Sequence, residues 1–212
     1  MTVRVMLVSP AMNAALREAR FDGDGPLDRA GEQRARAAAG TMPAAGRYAS
    51  GPSQRCLRTA EALGLAVRHE PDLADWDLGR WRGLRLDEVA GREPEAVAEW
   101  LGDPAAAPHG GESLRDLTAR VGGWLAAQTQ AQAKAQTQAL TQADTDADAD
   151  AGGSVLAVAG PSVVRAAVVH GLALPMAAFW RLDVAPLSLT ELSGRSGRWN
   201  VRLGQPLTAR DS

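Results

Sequence analysis

Two segments of this chain place small polar side chains directly after short apolar runs. Val3–Val8 precedes Ser9 and Asn13, and residues 155–159 precede Ser162. Both runs are rich in β-branched residues, which is typical of parallel strands buried on both faces. Parallel sheets bind ligands at the carboxyl ends of their strands. The two serine hydroxyls and the Asn13 amide are therefore candidate ligand-binding groups.

Covalent catalysis by one of these serines would require a base within hydrogen-bonding reach. The sequence offers no obvious base, because we interpret His69 as a surface residue and His170 as helix surface or helix packing. Cys56 is the only cysteine, and we interpret it as a buried structural thiol. A single cysteine excludes an intrachain disulfide and a cysteine metal cluster. No ligand set with metal spacing is present, so we expect neither a metal nor another cofactor.

The elements that must position these residues alternate between strands and helices. We predict strands over Val3–Val8, Arg47–Ser50 and residues 65–68 and 155–159, and an amphipathic helix over residues 113–126. Residues 187–192 and 199–203 predict a terminal hairpin. Such alternation predicts an α/β fold, a three-layer α/β/α sandwich with a mainly parallel central sheet.

Composition limits the classes of partner. The 212 residues carry 25 acidic and 23 basic side chains, a net charge of −2, and 45% are hydrophobic. That balance gives no indication of binding to nucleic acid or to an anionic membrane surface. No apolar run approaches the roughly 20 residues of a membrane span. We expect a cytoplasmic protein.

Residues 127–153 differ in composition from the rest of the chain. Gln-Thr-Gln-Ala repeats lead into alternating aspartates and then Gly152 and Gly153. The acidic part has almost nothing to bury, so we predict a low-complexity, disordered insertion within a single domain that spans residues 1–212. The alternative for the Gln/Ala part is that it prolongs the preceding helix.

Several short motifs occur in a fixed order along the chain, at residues 17–23, 26–33, 50–60, 73–83, 110–113 and 159–165. Together they resemble the histidine phosphatase superfamily, the phosphoglycerate-mutase-like proteins. That family opens with a strand and Arg-His-Gly-Glu-Thr, and later carries Ser-His-Gly-Gly-x-x-Arg. The resemblance covers most of the chain outside the insertion and implies the family's fold.

The resemblance implies that both catalytic histidines are missing. Pro10 stands where the family has its nucleophilic histidine, and Gly160 stands where it has the second histidine. Ser9 replaces the first arginine of the pocket, and Leu16 replaces an asparagine that contacts the phosphate. Pro10 has no ionisable group, so the covalent phosphohistidine route is closed. Each preorganised donor that is lost can cost roughly 3 kcal/mol of transition-state stabilisation.

Other parts of the family's site are retained. The resemblance implies that Arg55 is the second phosphate-binding arginine and that Asp75 takes the position of the acid glutamate, one methylene shorter. It also implies that His109, just before the Gly-Gly-Glu-Ser loop at residues 110–113, lies near the pocket mouth. The remodelled pocket would be a mostly apolar cleft with one fixed positive charge, lined by Pro10, Ala11, Met12, Leu16, Gly160 and Pro161.

These replacements predict a catalytically degenerate histidine-phosphatase-like protein. In this interpretation the remodelled pocket binds a small anionic or uncharged ligand, or the protein binds a protein partner. The alternative is a phosphomonoesterase or mutase-like hydrolase with residual or altered chemistry on a small phosphate ester. That chemistry would use Asp75 and Arg55, with His109 or Ser9.

Overall fold

A six-stranded mixed sheet forms the centre of the molecule in a computed structural model that describes residues 2–21, 24–141, 153–195 and 197–207. The strand order is β3-β2-β4-β1-β5-β6. The first four strands in that order pair in parallel, and β5 and β6 add an antiparallel edge. The strands are β1 (Val3–Val8), β2 (Arg47–Ser50), β3 (Arg68–His69), β4 (Ser154–Val158), β5 (Ser188–Arg195) and β6 (Arg198–Pro206).

Within the residues that the structure describes, seven α-helices lie on the faces of this sheet or in its connections. Three short 3₁₀ helices, Pro71–Leu73, Gly79–Trp81 and Met176–Arg181, lie in the connections. The α-helices are α1 (Ala14–Arg17), α2 (Arg29–Ala37), α3 (Gln54–Ala62), α4 (Leu86–Arg92), α5 (Pro94–Gly102), α6 (Leu114–Thr141) and α7 (Pro161–Gly171).

Alternation along β1 separates two hydrophobic layers. Val5 and Leu7 point into a core shared with α6 and α7, whereas Met6 and Val8 point into a second core shared with α3. Successive side chains of a strand face opposite sides of a sheet. Apart from the exposed Arg4, β1 is apolar and buried on both faces, which confirms the predicted three-layer α/β/α sandwich.

The Gln/Ala segment prolongs the helix that precedes it. Helix α6 runs to Thr141, so the predicted disorder does not hold for residues 127–141. Alanine and glutamine favour helices, and Gln128 is buried and donates from Nε2 to the Trp124 carbonyl oxygen at 3.0 Å. The acidic residues 142–152 lie outside the described residues. The predicted third strand also differs, because β3 is formed by Arg68 and His69.

The parallel pairing determines where the functional loops meet. β4 lies between β1 and β2, so the chain leaves Val8, Ser50 and Val158 at one edge of the sheet. The amide of Gly51 donates to the Val158 carbonyl at 2.9 Å, and the Ala159 amide donates to the Val8 carbonyl at 3.0 Å. In the described part of the chain no helix is both long and apolar enough to cross a bilayer.

Candidate functional site

Arg55 supports the loop that follows β1. Ser53 caps α3 by accepting a hydrogen bond from the Cys56 amide, which places Arg55 in the first turn. Arg55 as a whole is 4% exposed, and its Nε donates to the Ala11 carbonyl oxygen at 2.9 Å while Nη2 lies 3.4 Å from the Pro10 carbonyl oxygen. Arg55 therefore has a structural task at the position where the resemblance implies a phosphate-binding residue.

The carboxylate of Asp75 lies in the space where residue 160 would carry a side chain. A Cβ on Gly160 would overlap Asp75 Oδ1 and would lie 2.8 Å from Asp75 Cγ. The backbone of Gly160, with φ −57° and ψ 155°, is open to any L-amino acid. What restricts this position is therefore the Asp75 side chain and not the backbone conformation.

A cleft of about 390 Å³ opens beside these residues. It differs from the expected pocket, because Pro10, Ala11 and Gly160 are buried behind it. The expectation of one positive charge is wrong, since three arginines line the cleft. The lining residues come from the connections after β1, β2, β3 and β4 and are Leu16, Arg20, Phe21, Asp24, Pro52, Ser53, Arg55, Ala74, Asp75, Trp76, Leu78, Arg82, Pro161 and Ser162.

The polar residues predicted at the strand ends take different places. Ser162 lines the cleft. Asn13 is buried and caps α1 by accepting from the Leu16 amide at 3.0 Å. Ser9 is buried, and its Oγ has no hydrogen-bond partner among the residues that the structure describes. Of these three candidates, the structure brings Ser162 to the cleft together with Arg55 and Asp75.

His109 is packed inside an aromatic cluster instead of lining the cleft. Its ring centroid lies 5.1 Å from that of Trp81, 6.4 Å from that of Trp100 and 6.5 Å from that of Trp76. Nδ1 accepts a hydrogen bond from the Gly111 amide at 3.1 Å, so the proton of the neutral ring resides on Nε2. Its pKa lies below the ordinary value because burial disfavours the charged form. His109 is thus a neutral core residue.

Comparison with known sequences places this geometry in a family. The sequence model of the histidine phosphatase superfamily (branch 1) matches residues 11–205. The chain belongs to this superfamily. The match begins one residue after Pro10 and includes Arg55, Asp75 and Gly160.

Characterised relatives within the superfamily are similar over parts of the chain. The bifunctional protein Rv2228c of Mycobacterium tuberculosis is 36% identical over 127 residues, which make up 56% of this chain and 35% of that protein. Glucosyl-3-phosphoglycerate phosphatase of M. tuberculosis is 39% identical over 64 residues, 30% of this chain and 29% of that enzyme. The chain spans about a third of the length of these curated relatives.

Solved structures of the superfamily share the fold over nearly the whole chain. The native mycobacterial glucosyl-3-phosphoglycerate phosphatase Rv2419c superposes with a TM-score of 0.77 at 27% identity, covering 97% of this chain and 100% of that one. The alpha-ribazole phosphatase from Shigella flexneri gives a TM-score of 0.74 at 16% identity, covering 99% of each chain, which is a likeness of fold alone.

Two of the three arginines that line the cleft, Arg20 and Arg82, were not predicted from the sequence. Arg20 donates from Nε to Glu18 at 2.7 Å and from Nη1 to the Gly83 carbonyl oxygen at 3.1 Å. Arg82 lies 3.4 Å from Asp77 and is half exposed. Both arginines belong to segments that carry the family resemblance, residues 17–23 and 73–83. Their position in these motifs was the signal by which the sequence could have identified them as cleft residues. Within the described residues, no group of three or more histidine, cysteine or acidic side chains could hold a metal ion.

The burial of His109 predicts a loss of stability in mild acid. The folded state holds the pKa of His109 down through burial and nearby Arg80, with Asp77 opposing the shift. The unfolded chain takes up that proton near pH 6.5 and so binds more protons in this range. The free energy of unfolding should therefore fall as the pH is lowered from about 7 through 6.5 towards the folded pKa, as urea unfolding at a series of pH values would show.

A histidine elsewhere supplies the control for this pH dependence. His109→Asn keeps an acceptor near the Gly111 amide and removes the titration, so its unfolding free energy should vary less with pH. His69 is exposed, and His69→Asn should keep the wild-type pH dependence. The account of His109 would be contradicted if His69→Asn flattened the profile and His109→Asn left it unchanged.

Proposed function

We propose that this protein is a catalytically degenerate histidine phosphatase that binds a small anionic ligand in the cleft and does not transfer phosphoryl groups through histidine. One observation carries the proposal. The family resemblance implies that Gly160 stands at the position of the second histidine. The Asp75 carboxylate occupies the space that a side chain at residue 160 would need. At the corresponding position of the nucleophile, Pro10 contributes a carbonyl oxygen that lies 3.4 Å from Arg55 Nη2.

The chemistry of the cleft supports a binding role. Phosphoryl transfer to an enzyme requires an activated nucleophile, and a hydroxyl needs a general base beside it. The described lining offers hydroxyls from Ser53 and Ser162 but no histidine. The Ser53 hydroxyl is engaged as the cap of α3. A phosphate ester in this cleft would therefore meet no histidine to accept its phosphoryl group, which is the nucleophile that the family uses.

The lining favours a ligand that combines an anionic group with apolar surface. Arg20 and Arg82 present guanidinium groups that remain partly accessible, and guanidinium is suited to carboxylate and phosphate oxygens. Phe21, Trp76 and Leu78 contribute large apolar side chains to the lining. Small-molecule sites commonly combine mainly apolar walls with a few fixed polar groups.

A thermal-shift screen tests the binding role. Wild-type protein should be stabilised by some members of a panel of small organic acids and their phosphate esters, since a ligand that binds only the folded state raises its stability. Arg82→Ala should weaken such binding about tenfold, because it removes a charge-assisted hydrogen bond worth roughly 1.5 kcal/mol.

Arg34 provides the matched control for the ligand screen. It is exposed on α2, outside the cleft, so Arg34→Ala removes the same charge without changing the lining. The proposal predicts that Arg34→Ala binds as the wild type does. Equal loss of binding in both variants would show that the ligand responds to net charge, and a panel without any stabilising acid would contradict the proposal.

A residual phosphomonoesterase is the second candidate. The mycobacterial glucosyl-3-phosphoglycerate phosphatase, 27% identical over nearly the whole chain, favours it. In that case Asp75, which lines the cleft, would protonate the leaving oxygen. Release of phosphate from glycerol phosphate, whose alkoxide leaving group needs protonation, by the wild type, and its loss in an Asp75→Asn variant of unchanged stability, would favour this second candidate over the first.

A further inference from the structure

We infer that Asp75 acts as a built-in anion that excludes phosphate from the inner end of the cleft. This inference rests on the proposed binding function and specifies which ligands the site rejects. The Asp75 carboxylate lies against Gly160, which caps the amino end of α7. The amino end of a helix carries a partial positive charge and attracts anions. Asp75 places a covalently attached carboxylate at this position.

The segment that carries Asp75 is fixed on both sides. Arg120 binds both carboxylate oxygens of Glu112, with Nε–Oε1 and Nη2–Oε2 distances of 2.8 Å. The same guanidinium donates from Nη1 to the carbonyl oxygens of Asp72 at 2.7 Å and Ala74 at 3.1 Å. Trp76 Nε1 donates to the Glu112 carbonyl oxygen at 2.7 Å. The residues before and after Asp75 are therefore bound to one partly buried clamp, formed by Arg120 and Glu112.

This clamp makes Arg120 a positioning residue for Asp75. A planar guanidinium that holds a carboxylate and two backbone carbonyls leaves the 72–76 segment little freedom. The Asp75 carboxylate consequently pays little conformational entropy to stay beside Gly160. An external phosphate would have to displace it, or share the site with a like charge, which is unfavourable.

The Asp75 carboxylate also determines which group a ligand can present at this end of the cleft. A carboxylate accepts hydrogen bonds and offers no donor. A ligand that reaches Asp75 does so through a hydroxyl or an ammonium group, and its own anionic group must lie towards Arg20 or Arg82. Phosphate alone should bind the wild-type protein weakly.

Calorimetric titration with inorganic phosphate tests the inference on full-length variants. The wild type should bind weakly, and Asp75→Ala, which removes both the charge and the atoms nearest Gly160, should bind at least about tenfold more tightly. Asp75→Asn keeps the shape and removes the charge, so its affinity should lie between the two. Asp72→Ala removes an exposed carboxylate from the same segment and should match the wild type.

A second variant examines the clamp. Arg120→Gln should release the segment and raise phosphate affinity towards that of Asp75→Ala, while Arg120→Gln combined with Asp75→Ala should gain nothing further. Equal phosphate affinity in the wild type, Asp75→Asn and Asp75→Ala, whether measurable or absent, would overturn the inference. Failure of the proposed function would show itself differently, as hydrolysis of a phosphate ester by the wild type.

Discussion

Replacement of Arg55 by alanine is expected to destabilise the fold by about 3 kcal/mol, because it leaves buried carbonyl oxygens without their donor. Arg55 is 4% exposed, and its guanidinium donates to the Ala11 carbonyl oxygen at 2.9 Å and lies 3.4 Å from the Pro10 carbonyl oxygen. Lysine has one ammonium in place of the planar fork, so Arg55→Lys should recover only part of that stability. Urea unfolding of the purified variants measures both effects.

Arg58 lies on the same helix and serves as the control. Its guanidinium is exposed and pairs with Glu61 at 2.7 Å, so Arg58→Ala should change stability by no more than about 0.5 kcal/mol. Wild-type stability in Arg55→Ala would contradict a structural role for Arg55. This role also means that loss of activity in an Arg55 variant would not by itself identify Arg55 as a phosphate-binding residue.

Restoring the family's histidines is expected to create phosphatase activity only when Asp75 is also removed. Ser9→Arg, Pro10→His and Gly160→His supply the arginine and both imidazoles, yet the new side chain at residue 160 would meet Asp75 Oδ1. We therefore expect the triple variant to stay inactive and to lose roughly 1–3 kcal/mol of stability through overpacking. Adding Asp75→Ala should relieve the overlap and yield turnover of p-nitrophenyl phosphate, whose leaving group needs little acid assistance.

A fourfold variant without a nucleophile controls for the other changes. Ser9→Arg, Gly160→His and Asp75→Ala combined with Pro10→Ala has the same cleft but no imidazole at residue 10, so it should be inactive. Equal activity in the two variants that carry Pro10→His, with and without Asp75→Ala, would show that Asp75 does not block residue 160. Folding of each variant is verified by its urea unfolding curve before the assay.

The fold was predictable because its information is local. The apolar run at Val3–Val8 appears as β1 with the predicted limits, since burial on two faces leaves a clear pattern in the sequence. The predicted strand Arg47–Ser50 also appears with the predicted limits, as β2, although only Ala49 and Ser50 are buried. Helix α6 was predicted over residues 113–126 from its apolar face. It extends to Thr141, into the segment that was predicted to be disordered. Its Gln/Ala segment has helix propensity without an apolar pattern, so composition alone left both outcomes open.

The site was predictable only in part because it depends on contacts between distant residues. Arg55 and the loop after β1 were matched from motifs, and the hydrogen bond between Arg55 and Ala11 joins them. No pattern in the sequence shows that the Asp75 carboxylate fills the space of residue 160, because that contact follows from how the 72–76 segment packs on α7. His109 was expected near the pocket mouth, and the structure places it among three tryptophans.

Trapping of a phosphorylated side chain tests the central claim most directly. Purified wild-type protein is mixed with a radiolabelled small phosphate ester, quenched in denaturant at alkaline pH to preserve phosphohistidine, and analysed for label on the polypeptide. The absence of histidine at residues 10 and 160 predicts that the wild type is labelled only to background. The variant that combines Ser9→Arg, Pro10→His, Gly160→His and Asp75→Ala serves as the positive control. Stoichiometric labelling of a wild-type histidine during turnover would contradict the claim that this protein binds a small anionic ligand and does not transfer phosphoryl groups through histidine.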